Sequence, residues 1–425
     1  MRILHCCLAN FYIDNFGYQE NVLPRVHKQQ GHVVMILAST ETMIQGEGLS
    51  YISPAEYINE DGIPVKRVPY KGLLPIKLAA KLRCYNGVSE AINAFSPDII
   101  FMHDGQTSAV FTIVKYIREH PNCRLYIDSH TDYVNSARNW MSKYLLHGIL
   151  YKWYIKQTIP YTTKYYGTLP ARVSFYRDFY GTPAYKTEYL PFGVDDLSVP
   201  FCKRETIKSE IREQLGISKN DFVIVTGGKL EKPKNTIMLM QAYTKLSESY
   251  SNLRLLLFGT VSSDIKNEFD KQMIIDKSIV YVGWVPSKDT YKYFFSADLA
   301  CFPGTHSTLW EESVGYGLPA IFKLWKGITQ IDLGGNCTLL EEPITPESIA
   351  SAISDLYCNK KKYSEMKQYA ETNGVSMFSY SRIAEYCINN EYGKTSNEEN
   401  HNGGGYKYLI IDICASTICD YSLAA

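Results

Sequence analysis

Strand-like apolar runs alternate with helices along most of this chain, in two separate series. The first series has such runs at residues 1–9, 33–38, 63–68, 99–102, 124–127 and 187–190. The second has them at residues 222–226, 253–258, 279–282, 299–302 and 320–322. Because strands that alternate with helices form parallel sheets, the pattern predicts an α/β fold with two similar halves.

The domain organisation follows from length and from one change in character. A chain of 425 residues is too long for a single hydrophobic core. We predict an N-terminal domain at 1–195, a polar connector at 196–220 and a C-terminal domain at 221–378. A closing helix follows at 379–390, and its return to the first domain is left open. Residues 391–425 form a polar linker and a tail to which we assign no role.

Composition excludes several classes of protein. Hydrophobic content of 45% and charged content of 21% are typical of a soluble globular protein. The net charge of zero gives no support to a nucleic-acid partner. The chain begins directly in a strand, and no apolar run reaches the roughly 20 residues of a membrane helix. Its cysteines lack metal-ligand spacing, so we expect a cytoplasmic protein without a bound metal.

One segment of the first half is locally basic. Residues 133–177 contain no acidic side chain. Their basic residues are Arg138, Lys143, Lys152, Lys156, Lys164, Arg172 and Arg177. A helix near residues 140–155 would attract anionic lipid headgroups, which would place the protein at the inner face of a membrane. A solvated helix face explains the same residues equally well, and the sequence leaves both interpretations open.

The stretch at residues 299–322 is organised as strand, tight loop and helix. Thr308 and Glu311 have the spacing of a capping box, which predicts a helix that begins near Ser307. The start of a helix beyond a sheet strand offers unpaired N–H groups to an anion such as a phosphate. Glu312 follows within the first turns, where it can receive ribose or sugar hydroxyls. These features predict a nucleotide-binding corner.

Three segments carry a resemblance to a known family. Residues 228–235 (GKLEKPKN) and 312–319 (ESVGYGLP) resemble two motifs of the group 1 family of retaining glycosyltransferases. Residues 128–132 (DSHTD) fall where that family has an active-site histidine. The resemblance implies the GT-B fold, in which two Rossmann-like domains face each other across a cleft. It also implies a nucleotide-sugar donor, retention of anomeric configuration, and independence of metal and cofactor, as in bacterial polysaccharide biosynthesis.

The resemblance also implies roles for particular residues. The implied donor-binding residues are Gly228, Lys229, Lys234, His306, Ser307, Thr308, Leu309 and Glu312. The implied catalytic residues are His130 and Glu312, and those on the acceptor side are Gly17, His103 and Asp132. The acceptor would be a glycan or a lipid-linked sugar. The family's first glutamate falls on Gly304 and is missing; we expect His306 to replace it and Glu311 to point elsewhere.

Several alternatives stay open. Lys229 and Lys234 could be solvated loop lysines, and His130 a structural histidine at the end of a buried strand. We expect Trp284 in the core rather than beside a nucleotide base. Two rival functions also remain: a non-hydrolysing nucleotide-sugar epimerase, and a nucleotide-sugar-binding protein without catalysis. The first strand and loop lack a G-x-G-x-x-G sequence, which disfavours an NAD-linked dehydrogenase.

Overall fold

The structure is a computed structural model that describes residues 1–389, except 11, 45–47, 73–74, 134–135, 137–139 and 326. The chain divides into two compact units. The first comprises Met1–Pro191 together with the segment that begins at Ser381, and the second comprises Phe192–Tyr380. The tail predicted at 391–425 lies outside the described residues, as does Arg138 of the basic segment.

The first unit is built on an eight-stranded sheet. The strands of this unit are β1 (Arg2–Cys7), β2 (Val33–Ser39), β3 (Glu41–Ile44), β4 (Gly48–Tyr51), β5 (Ala55–Ile58), β6 (Pro64–Val68), β7 (Ile99–His103), β8 (Arg124–Ser129), β9 (Thr162–Gly167) and β10 (Thr187–Tyr189). The order across the sheet is β10-β9-β8-β7-β1-β2-β6-β5, and β3 pairs with β4 separately. All neighbours in the large sheet run parallel except β5 and β6.

Helices connect the strands of the first unit. They are α1 (Gln19–Gln29), α2 (Ile76–Leu82), α3 (Val88–Phe95), α4 (Ala109–Glu119), a π-helical segment (Met141–Tyr151), α5 (Lys152–Thr158) and α6 (Pro170–Ser174). Residues 76–95 have helical periodicity throughout, but they form two helices. Arg83 at φ 49° and Gly87 at φ 80° adopt the left-handed conformation, which ends α2 and precedes α3.

The second unit contains a six-stranded parallel sheet. Its strands are β11 (Phe222–Leu230), β12 (Leu253–Val261), β13 (Ile279–Tyr281), β14 (Leu299–Phe302), β15 (Ala320–Lys323) and β16 (Cys337–Leu340), in the order β13-β12-β11-β14-β15-β16. Its helices are α7 (Arg204–Gln214), α8 (Thr236–Ser247), α9 (Lys266–Ile275), α10 (Thr290–Ser296), α11 (Leu309–Gly315), α12 (Pro346–Cys358), α13 (Lys360–Tyr369) and α14 (Val375–Met377). In both sheets, loops at the carboxyl ends of the strands are positioned to bind ligands.

Two segments near the predicted boundaries pack with a compact unit. Helix α7 lies in the predicted connector, but Lys208 and Arg212 donate to the two carboxylate oxygens of Asp298, at 2.8 and 2.6 Å. Helix α15 (Tyr380–Asn389) packs with the first unit, where Arg124 donates to the carbonyl of Ile388 at 2.9 Å. Across the described ranges, no helix has the length and apolar character needed to cross a membrane.

Candidate active site

Two loops meet at the carboxyl ends of β11 and β14. The amide N–H of Thr305 donates to the carbonyl of Pro233 at 2.9 Å, and the side chain of Asn235 donates to the carbonyl of Pro303 at 2.9 Å. A Cβ added to Gly304 would lie 2.3 Å from the Cα of Lys234. No side chain fits at Gly304, so the family's first glutamate could not occupy this position without moving the loops apart.

Lys234 holds these two loops together. Its ammonium donates to the carbonyls of Thr305 and His306 at 2.8 and 2.7 Å. Burial lowers the pKa of this ammonium to about 8, although nearby Glu231 favours the charged form. An ammonium has three N–H groups, so one remains for an incoming ligand. The structure therefore places the Lys234 ammonium against the segment that leads into α11.

Gly228 and Lys229 lie inside β11 rather than after it, because the strand continues to Leu230. Gly228 has φ 97°, and a Cβ there would come within 3.0 Å of the Leu309 side chain. Lys229 is 68% exposed and forms an ion pair with Glu231 at 2.8 Å, which raises its pKa. Gly228 and Leu309 are thus brought together, whereas the ammonium of Lys229 is engaged by a neighbouring carboxylate.

The predicted capping box of α11 was wrong. The helix begins at Leu309, and Thr308 adopts helical angles with no hydrogen bond from its side chain to the helix end. Glu311 is fully buried and accepts hydrogen bonds from His306 Nε2 at 2.9 Å and from Gln330 Nε2 at 2.9 Å. The expectation that Glu311 points elsewhere was therefore also wrong, since it fixes the histidine that we expected at the donor sugar.

Glu312 lies one residue further along α11 and faces a different helix. Its Oε2 accepts a hydrogen bond from the hydroxyl of Thr290 at 3.2 Å. Burial is the main cause that raises its pKa to about 8, and the nearby Glu311 adds to this effect. Near neutral pH the carboxyl group is therefore largely protonated, and it can both donate and accept hydrogen bonds.

This raised pKa has a consequence for stability. Between the ordinary value of 4.5 and about 8, the folded protein keeps a proton that the unfolded chain has lost. Stability should therefore fall as pH rises across that window, with a slope of at most about 1.4 kcal/mol per pH unit from this group. Glu312→Gln should remove that contribution. Urea unfolding of both proteins at several pH values measures it, and parallel pH profiles would contradict it.

Trp284 was expected in the core, and this was wrong. Its side chain is 69% exposed in the loop that follows β13. The amide N–H of Gly259 donates to the carbonyl of Gly283 at 2.6 Å, which joins this loop to the end of β12. An exposed indole at the carboxyl end of the sheet is available to stack on a planar ligand.

The first unit places His130 between two carboxylates at the end of β8. Its Nε2 lies 3.5 Å from Asp128 Oδ1 and 3.8 Å from Glu20 Oε1. Burial opposes the charge on this imidazole, but Glu20 and Asp128 raise its pKa above the ordinary value. His103, at the end of β7, contacts Asp128 Oδ2 through Nδ1 at 2.8 Å. The structure thus brings His130 and His103 to the same carboxylate, that of Asp128.

The other residues expected on the acceptor side lie in nearby loops. Asp132 accepts a hydrogen bond from Arg172 Nε at 3.2 Å and is buried. Gly17 is exposed in the loop before α1, where Asn15 has φ 62°. Asp128 was not among the predicted site residues. Side chains two apart on a strand share a face, and this spacing from His130 is the signal that could have identified it.

Three side chains of this unit have the ligand types of a metal site. Candidate ligand atoms of Glu20, His103 and His130 lie within 4.8 Å of one another. His103 already uses both ring nitrogens, since Nε2 contacts His5 at 3.0 Å and Nδ1 contacts Asp128. A metal ion would have to break one of these buried hydrogen bonds, so we assign no metal here.

Comparison with known proteins relates part of the second unit to a family. Residues 207–373, which lie within the second unit, match the family described as glycosyl transferases group 1. This part of the chain therefore carries the sequence pattern of that family. A lipopolysaccharide 1,2-N-acetylglucosaminetransferase from Salmonella typhimurium is 24% identical over 221 residues, which cover 48% of this chain and 57% of that protein. The chain thus spans little more than half the length of this curated relative.

Solved structures show the same fold. A sucrose-phosphate synthase from Thermosynechococcus elongatus matches with a TM-score of 0.61 at 14% identity, over 91% of this chain and 96% of that one. A UDP-GlcNAc 2-epimerase from Neisseria meningitidis, bound to UDP-GlcNAc, matches with a TM-score of 0.58 at 11% identity, over 92% and 100%. The sheets of the two units are accordingly those of the Rossmann-like domains of a GT-B fold, which confirms the predicted fold class.

Proposed function

We propose that this protein is a retaining glycosyltransferase that needs neither metal nor cofactor. The second unit binds a nucleotide sugar, and the first unit recognises the acceptor hydroxyl of a glycan or lipid-linked sugar in surface polysaccharide or glycolipid biosynthesis. The observation that carries the proposal is the junction of the loops at 228–235 and 303–309, which places the Lys234 ammonium before α11 in the matched domain.

The diphosphate is assigned to this junction. The third N–H of Lys234 would donate to a phosphate oxygen, and Lys229 would leave Glu231 to add a second positive charge. The amides near Ser307, Thr308 and Leu309 would contribute backbone donors. Charge grows on the diphosphate as the glycosidic bond breaks, and positive groups fixed in place stabilise that charge.

The rest of the donor is assigned to neighbouring side chains. Glu312 would bind the ribose hydroxyls, because one of its oxygens is held by Thr290 and the other can face the ligand. Trp284 would stack on the base. His306, fixed by Glu311, would contact the sugar in place of the glutamate that Gly304 cannot provide.

We assign retention to attack from the face that the leaving group vacates. The bond between the anomeric carbon and the phosphate oxygen breaks, and the acceptor oxygen bonds to that carbon. The departing phosphate oxygen accepts the acceptor's proton, so no protein nucleophile is required. His130, whose pKa Glu20 and Asp128 raise against the opposing effect of burial, would donate a hydrogen bond to the reacting sugar.

The test is incubation with a panel of nucleotide sugars and lipid-linked acceptors, with the anomeric configuration of the product followed by NMR. Product with the anomeric configuration of the donor is expected. An inverted product would contradict retention. Conversion of the donor without an acceptor would identify an epimerase, and binding without turnover would identify an inactive binding protein.

We also propose that the protein works in the cytoplasm, at the inner face of a membrane. The helix formed by Met141–Tyr151 and α5 has an exposed apolar and aromatic face. Its exposed members are Trp140, Met141, Tyr144, Leu145, Ile149 and Trp153. Lys143, Lys152 and Lys156 lie along the same segment, which contains no acidic side chain. Apolar groups beside lysines match the interface of an anionic bilayer.

Lys143→Glu is therefore expected to weaken binding to phosphatidylglycerol vesicles by about tenfold, because each basic residue near such a surface contributes about 1 kcal/mol and the change also adds repulsion. Ile149→Asp should weaken it by at least as much. Co-sedimentation measures both. Tyr185→Ala, at a tyrosine that is 76% exposed outside this helix, is the control. Equal binding of all variants, or equal binding to neutral vesicles, would remove the membrane proposal.

A further inference from the structure

Three buried histidines form a continuous line through the first unit. His27 on α1, His5 on β1 and His103 on β7 are each fully buried. His27 Nδ1 lies 3.0 Å from His5 Nε2, and His5 Nδ1 lies 3.0 Å from His103 Nε2. Each gap has the length of a hydrogen bond, so each must contain one proton.

Both ends of the line face oxygen acceptors. At one end, His27 Nε2 lies 3.0 Å from the carbonyl of Ala384, which belongs to α15. A carbonyl only accepts, so this nitrogen must carry a proton. At the other end, His103 Nδ1 lies 2.8 Å from Asp128 Oδ2. The line therefore contains four hydrogen bonds between Ala384 and Asp128.

Four hydrogen bonds need four protons, whereas three neutral imidazoles carry three. The fourth proton belongs either to one of the histidines or to the Asp128 carboxyl group. In both cases the three imidazoles and Asp128 together have no net charge. With only three protons, the three neutral imidazoles and the ionised carboxylate would together carry a charge of −1. The carbonyl of Ala384 makes four protons necessary. Because it can only accept, His27 must donate to it, and each following histidine must then donate toward His27.

The environment favours the contact between His103 and Asp128 as the place of the fourth proton. Burial is the main cause that lowers the pKa of His5 well below its ordinary value and that of His27 to about 3, so neither accepts a second proton readily. Burial alone would raise the pKa of Asp128, but His103 and His130 hold it below its usual range. The fourth proton is thus assigned to the hydrogen bond between His103 Nδ1 and Asp128 Oδ2, at 2.8 Å.

We propose that His5, His27 and His103 are positioning residues that balance the charge of Asp128 and so set the charge and orientation of His130. His103 engages Asp128 Oδ2, and the amide N–H of Asp104 donates to Oδ1 at 3.1 Å. His130 shares Oδ1 at 3.5 Å. If the line lost its fourth proton to solvent, the uncompensated negative charge would lie beside His130.

Other charged and titratable groups face this line. His32 approaches the ring of His27 at a centroid distance of 6.0 Å, and the thiol of Cys387 lies 3.8 Å from His27 Nε2. His130 also faces Glu20, and Arg172 opposes its positive charge. Cys7 lies near Glu20 and Asp128, and its pKa is raised chiefly by burial. Its thiol is therefore uncharged and leaves the proton count unchanged.

The number of protons in the histidine line also depends on helix α15, which contributes the carbonyl of Ala384. Without the carbonyl of Ala384, the N–H of His27 would have no acceptor there, and the line could reverse. Each histidine would then carry its proton on Nδ1 and donate toward Asp128, which accounts for three protons and leaves the group with a charge of −1. Seating of α15 thus supplies the acceptor that keeps the group neutral.

The test is NMR of the full-length wild-type protein labelled with ¹⁵N-histidine, at neutral pH. Both nitrogens of His103 should be protonated, and His5 and His27 should be protonated on Nε2 only. Three neutral rings that carry their protons on Nδ1 would overturn the proposal. This measurement needs no substrate and no variant, so it stands whether or not the protein transfers sugar.

A variant tests the connection to His130. In His27→Phe, His5 loses its acceptor, and the line should reverse, so that His103 becomes neutral. The ¹⁵N titration of His130 should then move upward by ~1 pH unit, because Asp128 is no longer balanced. His120→Phe, at an exposed histidine of the same unit, should leave it unchanged. An unchanged titration of His130 in His27→Phe would contradict the positioning role. Nucleoside diphosphate binding by His27→Phe should be unchanged, because the diphosphate is assigned to the second unit.

Discussion

Lys234→Met is expected to reduce nucleoside diphosphate affinity by about ten- to a hundredfold, because a hydrogen bond to a charged group contributes about 1.5–3 kcal/mol. The substitution also leaves the carbonyls of Thr305 and His306 without their donor. The free energy of unfolding should therefore fall by about 1–3 kcal/mol even without ligand. Calorimetric titration with a nucleoside diphosphate measures the first effect, and urea unfolding measures the second.

The matched control is Lys232→Met, because Lys232 lies in the same short turn and is exposed. We expect it to change affinity by a small factor and stability by less than about 0.5 kcal/mol. If Lys234→Met is destabilised but binds nucleoside diphosphate as tightly as the wild type, the lysine only joins the loops. The diphosphate assignment would then be wrong.

Binding should also take up protons. In the free protein, burial lowers the pKa of Lys234 to about 8. Near that pH, the Lys234 side chain is therefore uncharged in a fraction of the molecules. A bound diphosphate favours the charged form, and its arrival should therefore draw a proton from the buffer at pH 8–9. Titrations in two buffers with different ionisation enthalpies detect this proton, and it should be absent in Lys234→Met.

His130→Ala is the second large effect that we expect. Turnover of the nucleotide sugar should fall by about 100-fold or more, the range seen when an active-site group that donates or transfers a proton is removed. Nucleoside diphosphate affinity should be unchanged, because the diphosphate is assigned to the second unit. Release of nucleoside diphosphate in the presence of acceptor measures kcat and KM separately.

His120→Ala is the control for this experiment. This exposed histidine lies at the end of α4 and contacts the carbonyl of Tyr116 through Nδ1 at 2.9 Å. It should retain full turnover. If His130→Ala also retains full turnover, His130 is a structural histidine, which is one of the interpretations that the sequence left open.

The strands were largely predictable from sequence because buried parallel strands are continuous apolar runs. The runs at residues 99–102 and 299–302 correspond closely to β7 and β14. Strand β9 was missed because TTKYYG is short and polar, and only its pairing with β8 and β10 stabilises it as a strand. The break between α2 and α3 was missed because a left-handed arginine leaves no apolar signature.

The sequence indicated which segments form the candidate site, but it did not indicate which side chains contact one another there. Motif spacing singled out Lys234, His306 and Glu312, and in the structure these residues lie in or beside loops at the carboxyl edge of one sheet. It could not indicate that Glu311 turns toward His306, because the adjacent Glu312 has the same charge and propensity, and only tertiary packing separates them. The histidine line was equally invisible, since His5, His27 and His103 are far apart in sequence and meet only through the order of the sheet.

The central claim is that the second unit binds the diphosphate of a nucleotide, and thermal unfolding with nucleosides, nucleoside monophosphates and nucleoside diphosphates tests it most directly. At a ligand concentration of about 100 Kd, specific binding should stabilise the protein by ~2.7 kcal/mol. We predict that one nucleoside diphosphate raises the melting temperature well beyond its monophosphate, and that the bare nucleoside has little effect. Equal shifts for nucleoside and diphosphate, or no shift with any diphosphate, would contradict the account.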